Sequence, residues 1–224
     1  MARHLDLEEQ EQLDELKHFW NQWGNLITWF LIAVLGAYAA WNGWQYWQRR
    51  QAVQASVLYD EVERAAAGGD AARLEQAYKD IRDKYGRTAY AHQAALLAAQ
   101  SLAQQGKADV ARDALRWVAE DAGDAGYQAV ARLRLAGMLV ADKAYDDALK
   151  QLAGLPPAYE ALAADRRGDI HNLQGRKEEA KNEYLKAWKG LGNEAEYRGL
   201  VEVKLTALGV DVQALKAPAE TAKS

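Results

Sequence analysis

Residues 106–111 read GKADVA, and the pattern returns as KAYDDA at 143–148 and as GRKEEA at 175–180. Each copy opens on a turn, continues through two or three polar or charged residues and closes on alanine. The closing residues Ala111, Ala148 and Ala180 lie 37 and 32 residues apart. Four residues beyond each comes a larger apolar side chain: Leu115, Leu152 and Tyr184. A small residue lets two helices cross closely, and a large one a turn later fills the space beside the crossing.

Working outward, the punctuation of a helical chain is regular. Gly68-Gly69 ends one helix, and Asp70 is an N-cap for the next, which stops at Gly86. Thr88 caps a helix that runs to Gln105 before Gly106. Asp124 opens another, and Pro157 suits a first helical turn after the Pro156-Pro157 break. Helical hairpins at a spacing near 34 residues are the mark of tetratricopeptide repeats, and one such hairpin cannot bury its apolar face without a neighbour. The expected fold is therefore all-α: a tetratricopeptide-like solenoid, as opposed to a generic helical bundle. The repeats are degenerate. Ala99 and Ala136 stand where the repeat prefers glycine, and only Gly168 keeps it. Helix 50–67 with its partner 70–85 can form an atypical first repeat. A last helix from Glu194 to Leu208 reads as a cap that covers the open end with Leu200, Val203 and Leu208.

Ahead of the repeats the chain changes character. From His18 to Gln48 there is no acidic residue, lysine or arginine, and Leu26 to Ala40 reads LITWFLIAVLGAYAA. About 20 such residues cross a hydrocarbon core. Trp20 and Trp23 stand at one end, and Trp41, Trp44 and Trp47 at the other. Trp23 and Trp44 would be about 32 Å apart along a helix, the spacing of two interfacial belts. Six of the eight tryptophans fall in this region. A cleaved signal peptide would open on a short basic segment. This one follows an arm with six acids (Asp6, Glu8, Glu9, Glu11, Asp14, Glu15) against Arg3 and Lys17, so a retained anchor is the better reading. The expected organisation is an acidic arm over 1–22, a transmembrane helix over 23–47, the repeat domain over 48–209 and a disordered tail over 210–224. Arg49 and Arg50 against Arg3 and Lys17 give nearly balanced flanks, leaning towards a cytoplasmic repeat domain.

Chemistry-bearing patterns are missing. Outside the arm acids and bases balance, with no basic stripe for nucleic acid, and there is no cysteine for a disulfide, thiolate site or nucleophile. His4, His18, His92 and His171 are scattered without ligand spacing, and no phosphate-binding glycine loop occurs. Neither a cofactor nor a catalytic centre is expected. His171 is expected in the repeat stack, satisfied by a neighbour. Asp146-Asp147 and Glu178-Glu179 read as helix starts favoured by the dipole. Repeat helices instead present a concave face. In the repeat register it comprises Gln93, Leu96, Gln100 and Gln104, then Val130 and Leu133, then Asp165, Asp169 and Asn172. Such a mixed surface suits an extended peptide or a partner helix.

Three stretches together resemble the YfgM-like family of ancillary SecYEG translocon subunits. They are EEQEQLDELKHFWNQWG at 8–24, Ala131-Arg132-Leu133-Arg134-Leu135-Ala136, and Gly168-Asp169-Ile170 ahead of Gly175. The resemblance spans roughly residues 8 to 208. It implies a single-pass protein of the bacterial inner membrane, held in the lipid bilayer with its N-terminus in the cytoplasm and its repeats in the periplasm. It further implies association with the SecYEG translocon and with the membrane-anchored periplasmic chaperone PpiD, in support of exported client proteins, and no catalytic motif. Arg49-Arg50 departs from the charge bias that this topology favours. The competing reading is a membrane-tethered regulator whose acidic arm binds a cytoplasmic or envelope-stress signalling protein.

Overall fold

The computed structural model describes residues 7–192 and 195–216, and every regular element among them is a helix. The chain divides into two compact units, Met1–Val53 and Gln54–Ser224. Helix α1 (Leu7–Gly68) contributes to both.

In the first unit, α1 carries an 18-residue window of mean hydropathy 1.5, long and apolar enough to cross a membrane. Most of its large described side chains are exposed within the unit. Leu26, Phe30, Leu35 and Trp41 are all more than half exposed. Over residues 13–53 only Gly24 is buried, because the Trp20 indole folds over it. Thr28 and Asn42 turn their polar groups back onto the Gly24 and Tyr38 carbonyls, which satisfies them locally on an apolar helix.

The second unit is a row of helical hairpins. The end of α1 pairs with α2 (Ala71–Tyr85), α3 (Ala89–Gln104) with α4 (Ala108–Asp121), and α5 (Ala125–Ala141) with α6 (Tyr145–Gln151). Helix α7 (Pro157–Leu173) pairs with α8 (Lys177–Gly190), and α9 (Ala195–Ala207) is followed by α10 (Val212–Lys216). The expected N-caps are in place: the Asp70, Thr88 and Asp124 side chains accept from backbone N–H groups of their first turns.

Each hairpin turns on one left-handed residue: Gly69, Gly106, Lys143, Gly175 and Gly209, with φ of 68°, 79°, 61°, 76° and 78°. In the last four, the following residue donates its N–H to a carbonyl five positions back. These bonds run from Lys107 to Leu102, Ala144 to Leu139, Arg176 to His171 and Val210 to Leu205, at 2.8–3.1 Å. Lys143 is the one non-glycine among the described residues with positive φ.

This row revises the expectation for the C-terminal end. Residues 209–214, GVDVQA, are a further copy of the hairpin motif, with Ala214 34 residues beyond Ala180. The stretch from Val210 that composition reads as tail therefore continues the stack. Val212 is 6% exposed, and Asp211 caps α10 by accepting from the Gln213 and Ala214 N–H groups. Residues 217–224 lie outside the described residues, as does Glu194, the expected start of the last helix. The expected capping face is also corrected. Leu200 and Val203 are exposed, Leu208 is half-buried, and Val201 and Leu205 at 0% exposure are what α9 sets against the stack. Burial follows the i, i+4, i+7 row of Val201, Leu205 and Leu208, not the row through Leu200.

The core is rich in alanine. Ala99 and Ala111 pack with Leu115 in one cluster, and Ala136 and Ala148 with Leu152 in the next. Ala180 and Tyr184 lie in a third. There the facing residue is Gly168, where an added Cβ would meet the Tyr184 ring at 2.5 Å. The small and large members of the pair trade volume while the register holds.

Candidate docking surface on the repeats

The first helices of successive hairpins lie side by side: α3 beside α5, and α5 beside α7. They form one face of the repeat unit, and the end of α1 extends it. Between α1 and α3 this face holds an open groove of about 370 Å³, floored by Ala66 and Ala67 and walled by Glu63, Leu97, Ser101, Gln100 and Gln104. The small floor residues let another chain approach the backbone, and amides and a hydroxyl line the walls. Such a lining offers hydrogen bonds to a peptide main chain, with Glu63 as the one charged group in it.

Gln100 and Gln104, both expected on this face, are exposed in that groove, and Asn172 is exposed on α7. Gln93 is half-buried and donates to the Tyr127 hydroxyl at 2.7 Å, which ties α3 to α5. Val130 and Leu133 are half-buried against two different core clusters, so each presents part of its surface. Leu96 is a correction. It is 8% exposed, with its carbonyl taken by Arg134, and belongs to the core more than to the face.

Asp165 is the larger correction. It is completely buried, and its carboxylate accepts from Lys204 Nζ at 2.8 and 3.0 Å and from the Tyr197 hydroxyl at 2.7 Å. Asp169 next to it is half-buried. It accepts from the Tyr184 hydroxyl at 2.8 Å and meets Lys204 Nζ at 2.7 Å. The two carboxylates thus share one lysine carried by α9, which closes this end of the face. Burial, and then the aspartates that accept their protons, push both tyrosine hydroxyls well above the usual phenol range. Lys204 and Tyr197 lie on α9, which the sequence shows as an apolar cap, and their partner Asp165 is 39 and 32 residues away. A signal for the hairpin that carries them was available in Gly209 and Ala214.

A second ion cluster braces the outer side of α7. Arg167 bonds Glu183 on α8 at 2.8 Å, the Leu152 carbonyl at 3.0 Å, and Glu160. Burial would raise the Glu183 carboxyl, but Lys186 and Arg167 outweigh it and hold the group below the usual carboxylate range. His171 does not find the neighbour expected for it. Its Nδ1 is enclosed without a hydrogen-bond partner among the described residues, and burial together with Arg176 keeps the imidazole below its ordinary range. No group of three or more histidine, aspartate or glutamate side chains that could hold a metal ion occurs among the described residues.

Comparison with known proteins fits this architecture. Residues 17–210 match the family model described as a tetratricopeptide repeat-like domain. A relative from Neisseria gonorrhoeae (strain ATCC 700825 / FA 1090), an ancillary SecYEG translocon subunit, is 30% identical over 210 residues, covering 93% of this chain and all of that protein. Among solved structures, that of MamA protein is similar, at 20% identity and a TM-score of 0.47 over 74% of this chain and 95% of that one. The all-α repeat architecture, the family model and the full-length relative agree, and the chain belongs to the YfgM-like family with its tetratricopeptide repeat-like domain.

Proposed function

We propose that this chain is an ancillary subunit of the SecYEG translocon, a non-catalytic adaptor held in the bacterial inner membrane by α1. The observation that carries the reading is identity at 30% along the whole length of a relative that bears this role. In this reading Trp20 and Trp23 rest in one headgroup layer and Trp41, Trp44 and Trp47 in the other. The acidic arm is cytoplasmic and the repeats are periplasmic, against the weak bias of Arg49 and Arg50.

The repeat face with Gln100, Gln104, Val130, Leu133 and Asn172 docks a segment of the chaperone PpiD or of an emerging client. Holding that face beside the channel raises its effective concentration, so individually weak contacts suffice. Gentle solubilisation of membranes followed by copurification should recover translocon subunits with the full chain. Their consistent absence would contradict the proposal.

A further inference from the structure

His92 lies on α3, directly beside Gln93, and is 4% exposed. Its ring is set between Trp117 of α4, at 5.2 Å between centroids, and Tyr127 of α5, at 6.0 Å. Nε2 is enclosed, and no side chain or carbonyl among the described residues bonds it. The same Tyr127 receives the Gln93 hydrogen bond at 2.7 Å, so one ring serves both the buried histidine and the joint between α3 and α5.

The charged neighbours come from several elements. Asp121 at the end of α4 and Asp124 at the start of α5 favour the protonated imidazole, while from α2 Arg82 lies over the Trp117 ring at 5.1 Å with Tyr78 beside it. Desolvation outweighs the two aspartates and holds the imidazole below its ordinary range.

We infer that His92 is a proton-sensitive joint between the second and third hairpins, so that acidification loosens the packing of α3, α4 and α5 and with it the Gln93–Tyr127 tie on the docking face. Protonation adds a donor and a charge to a ring whose enclosed nitrogen has no acceptor, and an unpaired buried charge is relieved by local opening. The neutral form is the one that fits the fold. Its contribution is complete above about pH 6.5, where the unfolded chain's imidazole titrates, and is lost as pH falls through the lower folded value. Nothing in this inference depends on which partner the face binds.

The test is amide hydrogen exchange on the full chain in lipid nanodiscs at pH 7.5 and pH 5.5. Protection over Ala89–Gln104 and Ala125–Ala141 should fall several-fold on acidification in the native chain and stay level in His92→Phe, while His171→Gln should leave the fall intact. An equal fall in native chain and His92→Phe, or none in the native chain, overturns the inference. If His92→Phe does not fold, the imidazole resonance of native His92 decides. Titration below the free value of about 6.5 supports the joint, and titration at or above it overturns it.

Discussion

The α3–α4 and α7–α8 hairpins solve one packing problem with different residues. In the first, Ala99, Ala111 and Leu115 are buried in one core cluster, and the inner row of α3 is neutral. In the second, Gly168 lies against the Tyr184 ring, whose cluster also holds Ala180, and the inner row carries two carboxylates that close onto Lys204. Register is what the repeats conserve among themselves. Side-chain volume and polarity are free to change wherever a compensating neighbour changes with them.

The largest effect should come from breaking the polar solution. Lys204→Met leaves the buried Asp165 with the Tyr197 hydroxyl and no cation, and Asp169 with the Tyr184 hydroxyl and the exposed Arg166 at 3.7 Å. Removing one member of a buried charge cluster costs about 3–5 kcal/mol, and thermal unfolding of the repeats should drop by roughly 10 °C. A neutral result would mean that the cluster is solvated, and that the two hairpins differ less than their geometry indicates.

Next comes the volume exchange. Gly168→Ala drives a methyl into the Tyr184 ring and should cost about 1–3 kcal/mol, less the modest helix-propensity gain of alanine. The double variant Gly168→Ala with Tyr184→Leu installs the pair used by the other hairpins. It should recover part of that loss, although it gives up the bond from the Tyr184 hydroxyl to Asp169. Additive losses in a double-mutant cycle would show that the pair is not a unit.

The smallest effect concerns the turns. Lys143 holds a left-handed backbone where Gly106 and Gly175 stand in the neighbouring hairpins. Lys143→Gly should therefore stabilise by up to about 1 kcal/mol, and Gly106→Ala should destabilise by a similar amount, both readable from denaturant midpoints. Loss of stability on Lys143→Gly would place the lysine side chain among the contacts that hold the hairpin.

The hairpin row was legible because turns and close crossings leave residue types that chemistry restricts. A left-handed position selects glycine, and a crossing selects alanine. Lys143 kept the motif recognisable even without glycine, since the polar run and Ala148 follow it. The last hairpin was not legible because its second helix is only five residues long, and Pro218 occupies the place that Leu115, Leu152 and Tyr184 hold in the others. The docking face suffered from the same gap. An aspartate at a groove position reads as open to a partner until its counter-ion is known, and Lys204 lies 39 residues away. Gln100 and Gln104 are exposed, and no distant charge decides where such an amide sits. In the anchor region, by contrast, composition alone carried the reading, since a membrane span needs length and apolarity and no long-range partner.

The measurement that bears most directly on the account is protease accessibility of the repeat domain in intact spheroplasts compared with lysed cells. A periplasmic adaptor of the translocon predicts digestion of the repeats in intact spheroplasts. Protection until lysis would set the repeats in the cytoplasm, on the side that Arg49 and Arg50 favour, and would contradict it.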